Sequence, residues 1–270
     1  MRLRGSLCVL GGVAMAMALG AAGFSRAADT APDPSAAEGG PKAAAPSREA
    51  QHAAMEALRR LGARIEFDPS QAVQSVAAVK TKIADADLVH LEAMPELESL
   101  EIAGGKITDA GLVHLRGLAG LKRLYLRDLP ITDAGLEHLQ GLKDLEVVTL
   151  GNTKLNGEGL VHLRGLEQLC VLNLSGNPIV DASLAHLKRL PSLNTLGLQD
   201  TKVTGAGLVH LKSIAPLRVL NLNRCRISDH SLASLEGLKN LRMLYVKGCP
   251  VTDVGEKKLD EAVSGLSIYR

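Results

Sequence analysis

The hydrophobic positions of this chain recur every 24 residues between 73 and 264. In one such unit, Leu100 and Ile102 alternate with polar neighbours, which is the pattern of a strand with one buried face. Leu112 and Leu115 follow after a turn and stand at helical spacing. Each unit therefore predicts a short strand, a turn and a short helix. Seven consecutive units begin with the same residue type: Leu97, Leu121, Leu145, Leu169, Leu193, Leu217 and Leu241.

A single unit of this kind has an apolar side and nothing to bury that side against. Stacking the eight units that fit between 73 and 264 would give a continuous leucine core and one parallel sheet. The frame does not slip anywhere in this range. The sequence therefore predicts an α/β solenoid.

The helix of each unit is expected to start at a fixed position. Asp109 stands where a helix N-cap is expected, because its side chain can accept hydrogen bonds from the first turn. Gly157 and Gly205 replace this aspartate in two units. Asn156 and Thr204, one position earlier, are expected to cap the helix in those two units.

Residues 107–112 and 131–136 share the sequence Ile-Thr-Asp-Ala-Gly-Leu. With the unbroken frame, these segments resemble the leucine-rich repeat family, within the ribonuclease-inhibitor-like superfamily, and in particular its bacterial repeats. The resemblance implies a right-handed βα superhelix with the parallel sheet on the concave face, where members of the family hold partners. A continuous asparagine ladder is not expected, because the ninth position of the unit varies. That position holds Thr81, Gly105, Leu129, Thr153, Asn177, Thr201, Cys225 and Cys249.

Segments that predict closing elements border the repeats. Residues 48–72 show a helical pattern followed by a short strand, and we expect them to cap the first unit. Residues 265–270 predict a closing strand after the eight units of 73–264. Open strand edges would otherwise pair with other chains. The sequence therefore predicts one folded domain that includes these three segments.

Residues 1–27 have the order of a secretory signal peptide. Arg2 and Arg4 precede an uncharged apolar stretch, and small residues precede a cleavage position before Ala28. An uncleaved membrane anchor is the alternative, because about 20 apolar residues can span a bilayer. Residues 28–47 are rich in Ala, Pro and Gly and predict a disordered tether. We expect an exported protein, periplasmic or extracellular, that meets the membrane only if the leader stays uncleaved.

Composition narrows the functional classes. Aromatic residues make up 2% of the chain and Trp is absent, so a stacking platform for single-stranded nucleic acid is not expected. The formal charge of +2 becomes −1 without the leader, which carries three Arg and no acid. Such a charge gives no basic footprint for nucleic acid. No metalloprotease, serine-hydrolase or phosphate-loop motif occurs. The sequence therefore predicts no enzymatic activity, no cofactor and no nucleic-acid partner.

One helical position of the unit carries a column of histidines. Neighbouring imidazoles could share a metal ion, but no acidic residue shares the position, so a repeated packing residue is the favoured interpretation and no metal site is predicted. Crowded, half-buried rings would have their pKa lowered below about 6.5, and the fold would lose stability near pH 5. The column consists of His90, His114, His138, His162, His186 and His210.

Two cysteines occupy the same position in adjacent units. The Cα atoms of Cys225 and Cys249 would lie about 5 Å apart, which is within reach of a disulfide, and export would permit oxidation. That position normally points into the packed turn, so buried free thiols are the favoured interpretation. The bridged and the free forms both stay open at this point.

The strands are expected to offer the binding surface, because every second residue points away from the leucine core. Tyr and Arg, which are enriched at binding hot spots, lie on this face near both ends of the sheet. The contact is expected to be long and shallow and to take a protein. The predicted partner-binding residues are Arg123, Tyr125, Arg127, Thr149, Asn173, Asn221, Asn223, Tyr245 and Lys247.

The same pattern has an explanation without a partner, because strands favour Tyr and because Arg keeps an exposed face solvated. The function predicted from the sequence is therefore a non-enzymatic protein-binding module, expected to be a monomer. The alternative is a structural or envelope-associated scaffold that has no dedicated ligand site. Repeat folds host unrelated functions, so the fold does not choose between the two.

Overall fold

The computed structural model describes residues 46–270. The predicted leader and residues 28–45 of the predicted tether lie outside this range. One sheet of ten strands, in the order of the sequence, runs through the described chain. The strands are β1 Arg64–Phe67, β2 Val73–Val79, β3 Ser99–Ala103, β4 Arg123–Arg127, β5 Val147–Thr149, β6 Val171–Asn173, β7 Thr195–Gly197, β8 Val219–Asn221, β9 Met243–Tyr245 and β10 Ser267–Tyr269.

Helices alternate with the strands, and most of them are 3₁₀ rather than α-helices. The leucines of each helical segment stand three residues apart, as Leu136 and Leu139 do, and this spacing matches the 3.0 residues per turn of a 3₁₀ helix. The α-helices are α1 Arg48–Arg60, α2 Asp229–Leu232 and α3 Asp253–Ala262. The 3₁₀ helices are Asp85–Ala93, Gly111–Leu115, Asp133–Leu139, Glu158–Leu163, Asp181–Arg189, Gly205–Ser213 and Ala233–Leu235.

The strand register follows the 24-residue frame. Leu100 lies beside Leu124 in the sheet, and Leu172 lies beside Leu196. All four side chains are buried in one continuous core that extends along the described chain. Strands β2 to β10 are parallel, and alternating strand and helix units build the solenoid that the sequence predicts. The predicted fold class is thus confirmed.

The first strand departs from the predicted parallel sheet. Strand β1 pairs with β2 in the antiparallel sense, with Ile65 beside Val76. Helix α1 precedes it and buries Ala54 and Leu58 against the core. The side chain of Ser47 accepts a hydrogen bond from the backbone of the first turn of α1. A short turn joins β1 to β2 and is closed by a hydrogen bond of 2.9 Å from Asp68 N to the Ala72 carbonyl, so the two strands form an antiparallel hairpin.

In every repeat, a residue shortly after the strand has a left-handed backbone conformation, which the sequence did not predict. The backbone φ angles at this position lie between 53° and 75°, a region that costs energy for residues other than glycine. Neighbouring side chains at this position bind one another. Asn152 Nδ2 donates to Asp128 Oδ1 at 2.9 Å, and Arg224 donates two hydrogen bonds of 2.6 Å to the Asp200 carboxylate. The eight residues are Lys80, Gly104, Asp128, Asn152, Gly176, Asp200, Arg224 and Gly248.

The aspartate of the Ile-Thr-Asp-Ala-Gly-Leu segment joins one repeat to the next. Asp109 accepts two hydrogen bonds from Thr132, at 2.8 Å from the backbone nitrogen and 2.5 Å from the hydroxyl. Asp85 binds Thr108 in the same way, at 2.7 and 2.6 Å. The prediction that Asp109 caps its own helix is therefore wrong. The threonine supplies the local cap, since the Thr132 hydroxyl accepts from the backbone of Ala134.

The caps predicted at the two exceptional units are confirmed. Asn156 Oδ1 accepts a hydrogen bond of 2.9 Å from the backbone nitrogen of Glu158. Thr204 Oγ1 accepts one of 3.3 Å from that of Ala206. Thr204 therefore caps its helix as Thr132 does, and Asn156 takes the place of the threonine in its unit.

The ninth position of the unit forms a mixed ladder in place of an asparagine ladder. Asn177 is buried, and its Nδ2 donates to the carbonyl of Leu150 at 2.6 Å. Cys225 Sγ donates to the carbonyl of Leu198 at 3.0 Å, 27 residues back, as Asn177 does. Cys249 makes the same kind of contact, and both cysteines are free thiols. The thiol can replace the amide because it also offers a donor to the turn of the preceding unit.

Candidate partner-binding face

The strand side chains that point away from the leucine core form one continuous surface, which we call the outer sheet face. It comprises the alternate residues of β2 to β10, beginning with Ser75 and ending with Tyr269. The register places one long row along its middle, because each strand aligns with the next at the same repeat position. This row is Ala77, Glu101, Tyr125, Thr149, Asn173, Gly197, Asn221, Tyr245 and Tyr269.

The three residues predicted on β4 lie side by side on this face, all of them half-buried. Two arginines flank Tyr125. Arg127 forms an ion pair of 2.6 Å with Glu101, and Arg123 lies 4.0 Å from Glu98. The glutamates belong to the neighbouring unit and were missed in the sequence. The 24-residue frame could have revealed Glu101, since it stands one unit before Tyr125.

The Tyr125 ring lies between charges of both signs. Burial raises the pKa of its phenol above the ordinary value, Arg123 lowers that pKa, and Glu101 raises it. The phenol is therefore neutral at physiological pH. A neutral phenol with a partly covered ring can both donate a hydrogen bond and supply apolar contact area.

Asparagine side chains in and beside the middle of the row bind the backbone through their carbonyl oxygens. Asn173 Oδ1 accepts a hydrogen bond from the backbone of Ser175, and Asn221 Oδ1 accepts one from that of Asn223, each at 3.0 Å. Asn223 Oδ1 in turn accepts from the backbone of Lys247 at 2.7 Å. These carbonyl groups shape the ends of the strands.

Two predicted contact residues are nearly inaccessible in the structure. Thr149 is 8% exposed and Asn221 is 5% exposed. Each stands beside a tyrosine in the row, Thr149 beside Tyr125 and Asn221 beside Tyr245. A large ring can cover a smaller neighbour because the strands lie only about 4.8 Å apart. The prediction that these two residues present side chains to a partner therefore does not fit the structure.

The far end of the row carries a pair of aromatic rings. The Tyr245 and Tyr269 rings stack with their centroids 4.7 Å apart and their planes 14° apart. Lys247 is exposed and makes no ion pair among residues 46–270. The sequence predicts that the repeats end at residue 264, so Tyr269 is not among the predicted contact residues. It lies 24 residues after Tyr245, so all three tyrosines of the chain occupy one repeat position.

The histidine column lies on the helical side and makes contacts between units. His138 Nδ1 accepts a hydrogen bond of 2.9 Å from Arg116, and His186 Nδ1 pairs with Arg164 at 2.7 Å. Burial, and then the neighbouring arginine, lower the pKa of both imidazoles below the ordinary value. The lowered pKa was predicted for a crowded column. The structure assigns its cause to burial and to arginine, not to contact between imidazoles.

Across residues 46–270, no group of three or more His, Cys, Asp or Glu side chains is arranged to hold a metal ion. None of the helices in this range has the length and apolar character needed to cross a membrane.

Comparisons with known proteins agree with this architecture. The sequence model of the family described as Leucine Rich Repeat matches residues 216–238. The described chain has the leucine-rich repeat fold. The comparison of this leucine-rich repeat chain with curated proteins gives no significant match.

Two solved structures illustrate the fold of this leucine-rich repeat protein. Internalin C2 from Listeria monocytogenes is 20% identical, with a TM-score of 0.57 over 82% of this chain and 92% of the internalin chain. The ectodomain of the plant membrane receptor kinase GASSHO1/SCHENGEN3 from Arabidopsis thaliana is 16% identical, with a TM-score of 0.53 over 76% of this chain. This chain spans 25% of that ectodomain, which was solved in complex with CASPARIAN STRIP INTEGRITY FACTOR 2.

Leucine-rich repeats commonly mediate protein binding and are typically not enzymes. At 20% and 16% sequence identity, the similarity to the two solved structures supports the fold alone. The extended sheet surfaces of repeat solenoids suit long contacts with other proteins. What this particular chain binds must be argued from its own side chains.

Proposed function

We propose that this leucine-rich repeat protein is an exported, non-enzymatic module that holds a protein partner on its outer sheet face. The arrangement on β4 carries the proposal: Tyr125 stands between Arg123 and Arg127 on one face of one strand. Tyr and Arg dominate binding hot spots because they combine large apolar area with directed hydrogen bonds. Export rests on the signal-peptide order of residues 1–27.

The second contact point is the β9–β10 end, with Tyr245 and Lys247. Five units of parallel sheet separate it from β4, which corresponds to roughly 24 Å at about 4.8 Å per strand. Small residues such as Gly197 lie between the two ends. The face therefore suits a partner surface that lies flat on the sheet and is anchored at both ends.

Site-specific photo-crosslinking tests the proposal in the compartment where the protein resides. A crosslinking residue replaces Ser99, which is half-buried on the outer face beside Arg123. The matched control replaces Val209, which is 50% exposed on the helical side. We expect one dominant protein adduct from position 99 that is absent from position 209 and is lost when Tyr125→Ala is added.

Equal adducts from both positions, or adducts only with the protein itself, would favour the scaffold alternative. A Tyr125→Ala variant that keeps the adduct at full yield would remove β4 from the binding site. Circular dichroism of each variant shows whether the fold persists. Loss of the adduct together with loss of the fold would call for Tyr125→Phe, which keeps the ring and removes only the hydroxyl.

A further inference from the structure

The two ends of the sheet are closed in different ways. At the first end, the antiparallel strand β1 covers β2, and helix α1 packs Ala54 and Leu58 onto the core. At the last end, β10 pairs with β9 on one side only, and no other strand of the described chain lies beside it. Within residues 46–270, strand β10 is therefore an open edge, the kind of element that pairs readily with a further strand.

The hydrogen bonds of β10 show which backbone groups face outwards. Ser267 N donates to the carbonyl of Arg242, and Val246 N donates to the carbonyl of Tyr269, both at 2.8 Å. Ser267 and Tyr269 therefore point their backbone groups at β9. The backbone alternates along a strand, so the N–H and C=O of Ile268 point away from the sheet.

We propose that a second copy of this chain pairs with that edge, joining the two sheets through antiparallel β10 strands. Ile268 is the middle residue of the three-residue strand. A two-fold axis beside Ile268 would let each copy donate its Ile268 N–H to the Ile268 carbonyl of the other copy. A two-fold contact of this kind uses the same patch twice and therefore closes as a dimer.

The side chains of β10 fit this two-fold arrangement. In an antiparallel pair centred on Ile268, Ser267 of one copy stands opposite Tyr269 of the other. Ser267 is small and exposed, and Tyr269 is large and 46% exposed. The small residue leaves room for the ring across the axis. The Tyr269 ring is already held from behind by its stack on Tyr245.

The residues around β10 also favour contact with a second copy of the chain. An open cleft of about 460 Å³ lies between α3 and β10, and Leu266 and Ile268 supply its apolar wall. Charges of both signs line it. Arg270 is paired with Asp253 and with Glu256. The other two charged side chains, Lys257 and Asp260, make no ion pair within residues 46–270. This surface carries one unpaired positive and one unpaired negative side chain. When it faces a copy of itself related by a two-fold axis, opposite charges can come into contact.

A three-residue edge buries little area, so the association should be weak and depend on concentration. Sedimentation of the purified full-length protein from about 5 to 500 µM should show a shift from monomer to dimer, corresponding to dissociation at micromolar to sub-millimolar concentrations. The proposal differs from the monomer that the sequence suggests. It uses the backbone edge of β10, whereas the proposed binding function is carried by β4, so the two can be tested separately.

Two variants test the geometry. Ile268→Pro removes the outward N–H, which β9 does not use, and also the Ile side chain, which packs partly against the core. It should abolish dimerisation. Its matched control is Ile268→Ala, which removes most of the same side chain, keeps the N–H and should still dimerise. Ile268→Cys should form a disulfide between two copies under mild oxidation, because paired residues in such a strand lie about 5.5 Å apart. Ser264→Cys, exposed but before the strand, is the matched control and should crosslink far less.

A protein that stays monomeric up to about 500 µM would overturn the proposal. So would an association that Ile268→Pro leaves intact, because that would place the contact elsewhere, for instance in the leader. If Ile268→Pro unfolds the chain, crosslinking at Ile268→Cys against Ser264→Cys decides the question by itself. Equal crosslinking at both positions would contradict pairing through the β10 edge.

Discussion

At the scale of single residues, three positions of the repeat depend on one another. Asp109 reaches Thr132 in the next unit, and a Cβ added to Gly135 would overlap the Asp109 carboxylate. The glycine therefore makes room for the aspartate of the unit before it. Where the aspartate is absent, at Gly157, the next unit carries Ser183 in place of the glycine. Aspartate with glycine and glycine with serine are two ways to fill the same space.

This exchange leads to a prediction. Gly135→Ser should destabilise the protein by about 1–3 kcal/mol, because the added side chain collides with Asp109. Asp109→Gly alone should cost about 1–3 kcal/mol through the unsatisfied Thr132 N–H. The double variant recreates the pairing seen at Gly157 and Ser183. We expect it to be more stable than the sum of the single changes predicts, as measured by urea unfolding in a double-mutant cycle.

The control for this cycle is the same pair of substitutions at positions that do not touch, Gly135→Ser with Asp229→Gly. Their effects should add, because Asp229 binds Thr252 several units away. Additive effects in the neighbouring pair as well would mean that the aspartate and the glycine do not share space in solution.

At the scale of elements, the helices contact one another through polar side chains. Arg116 lies on the helical side of one unit, and its guanidinium donates to His138 in the next. Arg164 and His186 repeat the arrangement. A neutral imidazole accepts this hydrogen bond, whereas a protonated one would face the arginine as a like charge. The contacts between these helices therefore depend on pH.

We predict that the protein melts at a lower temperature at pH 5 than at pH 7.5. The folded-state pKa of His138 and of His186 is lowered, so unfolding takes up protons in the window between that pKa and the unfolded value near about 6.5. The stabilisation is fully present above the unfolded value and is lost as pH falls through the folded pKa. Calorimetry at the two pH values measures it.

The double variant His138→Gln and His186→Gln provides the control. Glutamine can accept the hydrogen bond from arginine but does not titrate, so the melting temperature of this variant should change less between the two pH values. An equal drop in both proteins would assign the pH dependence to other groups.

At the scale of the whole molecule, each unit is stabilised chiefly by its two neighbours, since the sheet order follows the sequence. A defect in the middle therefore weakens the contact between two halves. Leu172 lies in β6, near the centre of the sheet, and is completely buried. Tyr125 lies on the outer face and is only half-buried.

Leu172→Ala should lower the free energy of unfolding by about 2–5 kcal/mol, because the cavity removes core contacts that the strands cannot restore. Tyr125→Ala should cost clearly less, since its ring contributes to the surface. Chemical denaturation of both variants gives the comparison. Equal losses would mean that Tyr125 belongs to the core and that the outer face is wrongly assigned.

The sequence predicted the strand frame and the sheet order because leucine positions report burial directly, as Leu100 and Leu124 do. It did not predict the link from Asp109 to Thr132, because that bond spans 23 residues and a local cap explained the same aspartate. The sequence did not predict that Glu98 and Glu101 partly neutralise the two arginines of β4. Ion pairs depend on which side chains come together between neighbouring strands. The sequence also did not predict that Asn173 and Asn221 bind the backbone through their Oδ1 atoms, because strand ends are not visible in the hydrophobic pattern.

The aspartate–glycine and glycine–serine pairs between neighbouring units limit which repeats can be deleted from the gene without damage to the fold. A deletion of residues 169–192 would bring Gly157 next to Gly207, and neither side chain would fill the space between the two repeats. A deletion of 169–216 would bring Gly157 next to Ser231, the partner type that Gly157 already has in Ser183. In this part of the array, recombination between repeats is therefore expected to leave working proteins in steps of two units, not one.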